Sequence, residues 1–209
     1  MFHKIYILLE NNYMHPHMRR KEEMKKQLVS IIMLLMLLIS ILSIAAPITP
    51  ASASPTTYYV NDTTGDDTRT PLEAQNPLTP WKTITHAISQ VAPSDTIVVA
   101  AGTYDEQVVI TQSLTLQGAG DTTIIQPSGT GKLTSFYTLG TQAGAFWNGH
   151  KLASIISVQN VGTAGVTVKN LKVDGVNVNG VPAGANYVVG ISYGETAGTI
   201  DDVTVVNMD

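Results

Sequence analysis

Apolar and polar positions divide the chain into two regimes that meet near residue 53. From Leu28 to Ala46 nineteen residues run without a charge, broken only by Ser30, Ser40 and Ser43. From Asp95 onward the pattern has period two, as in Asp95-Thr96-Ile97-Val98-Val99 and Asp121-Thr122-Thr123-Ile124-Ile125, two similar segments 26 residues apart. Such alternation predicts strands with one buried face. Short pairs of alternating runs recur around polar corners: Val108-x-Ile110 and Leu114-x-Leu116 around Thr111-Gln112-Ser113, then Val166-x-Val168 and Leu171-x-Val173 around Lys169-Asn170. A third pair is Ile200 and Val203-x-Val205 around Asp201-Asp202. Between the regimes, Trp81, Ile84, Ile88 and Val91 fall on one face of a helix of about eleven residues. Thr79 is the expected cap, Pro80 the first helical residue and Pro93 the stop. Tyr58-Tyr59-Val60 reads as a strand, followed by a loop rich in Asp, Thr and Pro.

The C-terminal third also repeats residue by residue. Thr163-Ala164-Gly165 returns as Thr196-Ala197-Gly198 at an offset of 33, and Ile155-Ile156-x-Val158 returns at that offset as Val188-Val189-x-Ile191. The offset then slips to 32, aligning Leu171-x-Val173 with Val203-x-Val205. A fixed period of this size predicts a solenoid, in which each unit buries its apolar face on its neighbours. Asn170 and Asp202 occupy equivalent two-residue corners, and Asn and Asp tolerate the left-handed backbone such a corner needs. Lys169 should lie over Asp201.

Trp81-Lys82-Thr83-Ile84, Ala87-Ile88, Asp95-Thr96-Ile97-x-Val99, Ala101-Gly102-Thr103-Tyr104-x-Glu106 and Leu114-x-Leu116-x-Gly118 follow one another in a distinctive order. This order resembles the N-terminal module of the right-handed parallel β-helix proteins of the pectin-lyase-like superfamily, and Val166–Gly175 and Gly190–Asn207 resemble its repeats. Ser94 departs from the pattern, since relatives often carry Gly before the Asp. The resemblance implies an all-β, right-handed parallel β-helix with an N-terminal amphipathic capping helix. That superfamily holds lyases, hydrolases, epimerases, surface proteins and adhesins, so the fold transfers no activity.

Composition changes the picture at the N-terminus first. Six of the twelve basic residues precede residue 53: Lys4, Arg19, Arg20, Lys21, Lys25 and Lys26. Basic residues, an apolar run, and the small-residue site Ala51-Ser52-Ala53 make a secretory signal over residues 1–53. Met24-Lys25-Lys26-Gln27 is a compact n-region, which predicts a functional start at Met24. Nineteen helical residues would span roughly 28 Å, near the ~30 Å bilayer core, so an uncleaved anchor is the alternative. Either way the remainder is expected to be secreted or at the cell surface, organised as 54–94 (strand, loop and cap helix) and 95–209 (coils).

Residues 54–209 carry six basic against thirteen acidic side chains, a net charge near −7. That argues against nucleic acid, which needs clustered Lys and Arg. The chain has no cysteine, and only His86 and His150 remain beyond the leader, so disulfides and a His-rich metal site are excluded. Asn61-Asp62-Thr63 matches a glycosylation sequon.

Candidate chemistry is sparse. Asp105-Glu106 are adjacent, but on an extended backbone they point to opposite faces and make a poor catalytic pair. Asp174, Asp201 and Asp202 could serve a Ca²⁺ site or form turns, and turns are the preferred reading. No catalytic set and no cofactor are expected, with Ca²⁺ entering only under a lyase alternative. Two lateral loops interrupt the strand rhythm, 128–152 and 177–186. The first carries Phe136, Tyr137, Phe146, Trp147 and His150 in a Gly-rich background. Trp147 and Tyr137, with His150 nearby, are the candidate ligand contacts, because aromatic faces suit the apolar C–H patches of sugars. The preferred reading of these aromatics nevertheless packs them onto the coils, covering their apolar outer surface. The expected partner is polysaccharide or envelope material. The alternation stops at Val203–Asp209, which predicts either further coils downstream or a subunit covering that end. A lyase or glycosidase with its catalytic residues in those coils is the rival reading.

Overall fold

A computed structural model describes residues 16–42, 54–139 and 149–208. The chain divides into two compact units, Met1–Ser52 and Ala53–Asp209. In the first, helix α1 runs Pro16–Leu42. Its charged residues cluster in the N-terminal half, where Lys25 and Lys26 pair with Glu22 and Glu23 at 2.8 and 3.1 Å. Among the described residues no helix is long and apolar enough to cross a membrane. The Ala51-Ser52-Ala53 site lies outside the described residues.

The second unit is mostly β, with few helices. Its strands are β1 (Thr57–Val60), β2 (Thr96–Val99), β3 (Gly102–Tyr104), β4 (Val108–Ile110), β5 (Leu114–Gln117), β6 (Thr123–Ile125), β7 (Phe136–Thr138), β8 (Lys151–Asp174) and β9 (Tyr187–Val206). Every pairing is parallel except that of β7 with β8. The parallel strands form one curled sheet arranged as three rows, and β8 and β9 pass through all three. Row one stacks β1, β2, β5, residues 166–169 of β8 and 198–201 of β9. Row two stacks β3, β6, 172–174 and 204–206, and row three stacks β4, 156–158 and 191–193.

Period-two alternation sends one set of side chains inward in each row. In row one the column is Tyr58, Ile97, Leu116, Val168 and Ile200, in register strand to strand. Tyr104, Ile125 and Val173 form the column of row two, and Ile110 and Val158 that of row three. Apart from the exposed Ile200, these side chains are buried in one apolar core. Burying an aliphatic side chain of this size contributes about 1.5–3 kcal/mol, so each member of a column adds to the stability of the stack.

The rows meet at corners that need a left-handed backbone. Asn170 and Asp202 hold φ of 53° and 50°, as their corner positions predict. Register places Lys169 beside Asp201 and Leu171 beside Val203. Ser94 holds φ 77°, a conformation in which glycine would carry no Cβ penalty.

The similar segments 26 residues apart belong to different rows, since β2 lies on β5 and β3 on β6. Two expectations need correction. Leu114–Leu116 stacks on Val166–Val168, whereas Val108–Ile110 stacks on Ile156–Val158, so the Thr111–Ser113 corner has no equivalent at Lys169-Asn170. The offset between β8 and β9 is not 33 at the start: Ile156 pairs with Ile191 and Gly162 with Thr196, with register shifts on both sides of Gly162 before Val166 meets Gly198.

The helix is also shorter than its periodicity predicts. Helix α2 spans Ile84–Gln90, and its cap is Thr83, whose hydroxyl accepts from the His86 amide at 3.2 Å. Trp81 instead bridges Val60 in extended conformation. The Asp67 carboxylate holds that stretch extended by accepting from the amides of Lys82 and Thr83 at 2.7 and 3.0 Å. Thr79 turns away and donates to the Glu73 carbonyl at 2.6 Å. Trp81, though outside the helix, keeps the apolar spacing because it is fully buried in the same core as Ile84.

Candidate functional site

The lateral loops converge on the outer side of the sheet. Strand β7 lies antiparallel on the start of β8, pairing Phe136 with Ala153, Tyr137 with Leu152 and Thr138 with Lys151. The ladder continues as the Leu139 amide donates to the His150 carbonyl at 2.8 Å. On the other side of β8, Leu152 pairs with Tyr187. Residues directly opposite in a ladder share a face, so Tyr137, Leu152 and Tyr187 form one row, with His150 on the same face. The His150 and Tyr187 rings meet edge to face at 5.6 Å. Tyr187 is 40% exposed.

One buried side chain fixes β7 in place. The Gln107 amide nitrogen donates to the carbonyls of Ser135 and Ser154, both at 2.8 Å. Its oxygen accepts from the amides of Thr134 at 3.0 Å and Ser135 at 2.8 Å. All of the hydrogen-bonding capacity of the amide is thus spent tying the loop to the stacked strands. The second loop is tied at its end, where Asn186 exchanges two 2.8 Å bonds with the Lys151 backbone. Between the loops Thr130, Leu133, Thr134, Phe136, Pro182 and Ala183 line an open cleft of about 440 Å³.

Of the residues singled out in the sequence, Tyr137 and His150 are brought to one face, whereas Trp147 and Phe146 lie outside the described residues. Tyr137 packs against the sheet. Its ring packs so closely over Gly194 that a Cβ there would overlap it. Burial, with the Glu195 carboxylate nearby, pushes its phenol above the ordinary value. Tyr187 completes the row and was missed, since only its register with Leu152 reveals it. The concave angle beneath also escaped the sequence reading. Ser154 and Ser157 both approach the Ser192 hydroxyl, at 2.6 and 3.5 Å, and all three are buried. Side chains three positions apart can share a face only if the alternation breaks, and it breaks at the consecutive buried pair Ile155-Ile156.

A second concavity follows the corner between rows three and one. Ser94, Ser113, Thr115, Gly165, Thr167 and Ala197 are among the residues lining a groove of about 500 Å³. The Thr-Ala-Gly repeats supply its small residues.

Three of the carboxylates considered for catalysis or metal, Asp105, Glu106 and Asp174, are engaged structurally. Glu106 accepts from the Ile84 and Thr85 amides at 2.9 and 2.7 Å, satisfying the first turn of α2. Asp105 points the other way, accepting from the Ser128 amide at 2.6 Å and pairing with Lys132 at 3.4 Å. Asp174 pairs with Lys172 at 3.0 Å and accepts from Asn207 at 2.8 Å. Burial alone would raise its carboxyl, but these bonds and the Val176 amide hold it below the usual range. Among the described residues no three His, Asp or Glu side chains converge as a metal site requires.

A family profile described as "Protein of unknown function (DUF1565)" matches residues 63–208. The chain belongs to that family. No curated protein matches the chain. Two solved structures of a GH136 lacto-N-biosidase from Eubacterium ramulus share the DUF1565 chain's curled parallel sheet. The selenomethionine derivative matches with a TM-score of 0.53 at 15% identity, and the native protein with 0.50 at 16%. Each alignment covers 72% of this chain and 27% of the biosidase. The chain therefore spans about a quarter of that protein's length, and at such identity the likeness is one of fold.

Proposed function

We propose that this DUF1565 protein is an exported, right-handed parallel β-helix, with α2 as its N-terminal cap, that binds carbohydrate of the cell envelope or surroundings without transforming it. The observation that carries the reading is the row Tyr137–Leu152–Tyr187 with His150 on the same face. Two aromatic rings on a rigid sheet lose little freedom on binding and present flat apolar surface to a sugar. The three stacked rows support the β-helix, and the basic-apolar-small order of the first 53 residues supports export. The fold shared with a glycoside hydrolase is compatible with a sugar ligand. A lyase or hydrolase is the weaker reading, because Asp105, Glu106 and Asp174 are held by amides and cations.

The test is a glycan array probed with the full chain. Loss of a central aromatic contact costs on the order of 1–2 kcal/mol, so Tyr187→Ala should weaken the strongest signal about tenfold. Tyr137→Ala should weaken it at least as much, since it also uncovers Gly194. Unchanged binding by Tyr187→Ala, a residue outside the buried core, would refute the proposal. N-terminal sequencing of the secreted protein checks export, with Ser54 as the expected first residue.

A further inference from the structure

Row one carries an array of side chains that the lateral site does not use. Thr57, Thr96, Thr115, Thr167 and Thr199 are partners in one unbroken register across five strands. They alternate with the inward column Tyr58–Ile97–Leu116–Val168–Ile200, so they face outward. Neighbouring strands lie 4.7–4.9 Å apart, so the five hydroxyls repeat at that interval over roughly 19 Å. Branching at Cβ restricts each side chain to few rotamers, so the array is ordered before anything binds. Among the described residues none of the five hydroxyls is spent on another protein group.

The groove of about 500 Å³ runs beside this array, and Thr115, Thr167 and Thr199 form one of its walls. Ser113, also in the lining, is only 8% exposed, and no group of the described protein bonds its hydroxyl. That hydroxyl keeps access to solvent, so it is available to a molecule lying in the groove. No charged residue lines it. The surrounding unit is strongly acidic, which repels polyanions.

We propose that this groove binds a linear, neutral polysaccharide lying along the stacking direction, its repeating hydroxyls in step with the threonine array. The ligand is linear because the array is one side chain wide. It is neutral because the lining offers hydroxyls and small apolar groups but no cation for an acidic sugar. β-1,4-linked neutral pyranoses meet these demands, being extended and rich in hydroxyls along both edges. The site shares no residue with the lateral aromatic row, so each stands or falls alone.

Isothermal titration of the full chain with β-1,4-linked hexamers of glucose, xylose and mannose, with cellobiose, and with a galacturonate hexamer tests the assignment. At least one neutral hexamer should bind tenfold or more tighter than cellobiose and the galacturonate hexamer. The double variant Thr115→Val, Thr167→Val keeps shape and strand preference, and should lose about tenfold. Ala197→Leu, at an exposed position, should block the groove while circular dichroism stays unchanged. Tyr187→Ala should bind the hexamer as the parent does. The assignment is overturned if no neutral hexamer binds, if the galacturonate hexamer is preferred, or if folded Ala197→Leu binds as well as the parent.

Discussion

Replacing Gln107 with leucine should release the lateral loop from the stacked strands. The side chain is 9% exposed and makes four hydrogen bonds of 2.8–3.0 Å, two as donor and two as acceptor. Leucine fills similar space but abandons the amides of Thr134 and Ser135 and the carbonyls of Ser135 and Ser154. A buried backbone group left without a partner costs about 1–3 kcal/mol. Ser154 is fully buried, so its carbonyl bears that cost, whereas the groups at 134 and 135 lie nearer water and recover part of theirs. The sum is a destabilisation of about 2–5 kcal/mol, most of it local to the loop. Urea denaturation should show a lower midpoint, and limited proteolysis should cut 128–139 much faster than in the parent. Gln107→Glu provides a check on direction. It keeps acceptors for the two amides but turns an oxygen toward the Ser135 and Ser154 carbonyls, so it should be no more stable than the leucine variant. A Gln107→Leu protein within about 0.5 kcal/mol of the parent, with no faster cleavage, would refute the stapling role.

Asn170 supplies a second test: Asn170→Val should cost about 1–2 kcal/mol because the φ of 53° suits no β-branched residue, and Asn170→Gly should be nearly neutral. Thermal melts of the two variants distinguish them, and equal stability would exclude a strained corner. Acid should destabilise the second unit through Asp67. Burial raises this carboxyl, but the Thr83 hydroxyl and the Thr83 and Lys82 amides outweigh it and hold the folded value below 3.8. A depressed folded value means that the unfolded state binds the proton first, so the contribution is present above about pH 4 and is lost as pH falls through the folded value. Melting temperature should fall below pH 4, and Asp67→Asn should be less stable at pH 6 and show a shallower fall.

What could be read in the sequence was whatever depends on neighbours along the chain. Inward columns such as Ile97, Leu116 and Val168 announce themselves by alternation, and Asn170 and Asp202 by the scarcity of residues that accept a left-handed corner. Which strand stacks on which depends on how many residues each circuit spends between rows, and similar runs such as 95–99 and 121–125 carry no label for their row. The helix start was misplaced for a related reason, since Asp67, 16 residues before Thr83, decides that Trp81 is extended. The candidate site was half legible. Composition pointed to Tyr137 and His150, but the row with Tyr187 exists only because β7 and β9 flank the same residue of β8. The Ile155-Ile156 break looks like a continuous apolar run and gives no sign that two serines turn toward a third.

The register shifts on either side of Gly162 have a bearing on how this molecule can vary. Ile156 meets Ile191 and Val166 meets Gly198, so one circuit is three residues shorter than its neighbour over that stretch, yet the strands before and after remain in register. The excess is taken up between Gln159 and Val166, where Asn160, Gly162 and Gly165 all hold left-handed conformations. That corner acts as an expansion joint: residues can be added or removed there while the stacked columns keep their alignment. Length variation within the family should therefore concentrate at this edge and in the two lateral loops, leaving the Asn170 and Asp202 edge constant in spacing. The same edge is the natural place to graft a peptide without disturbing the core.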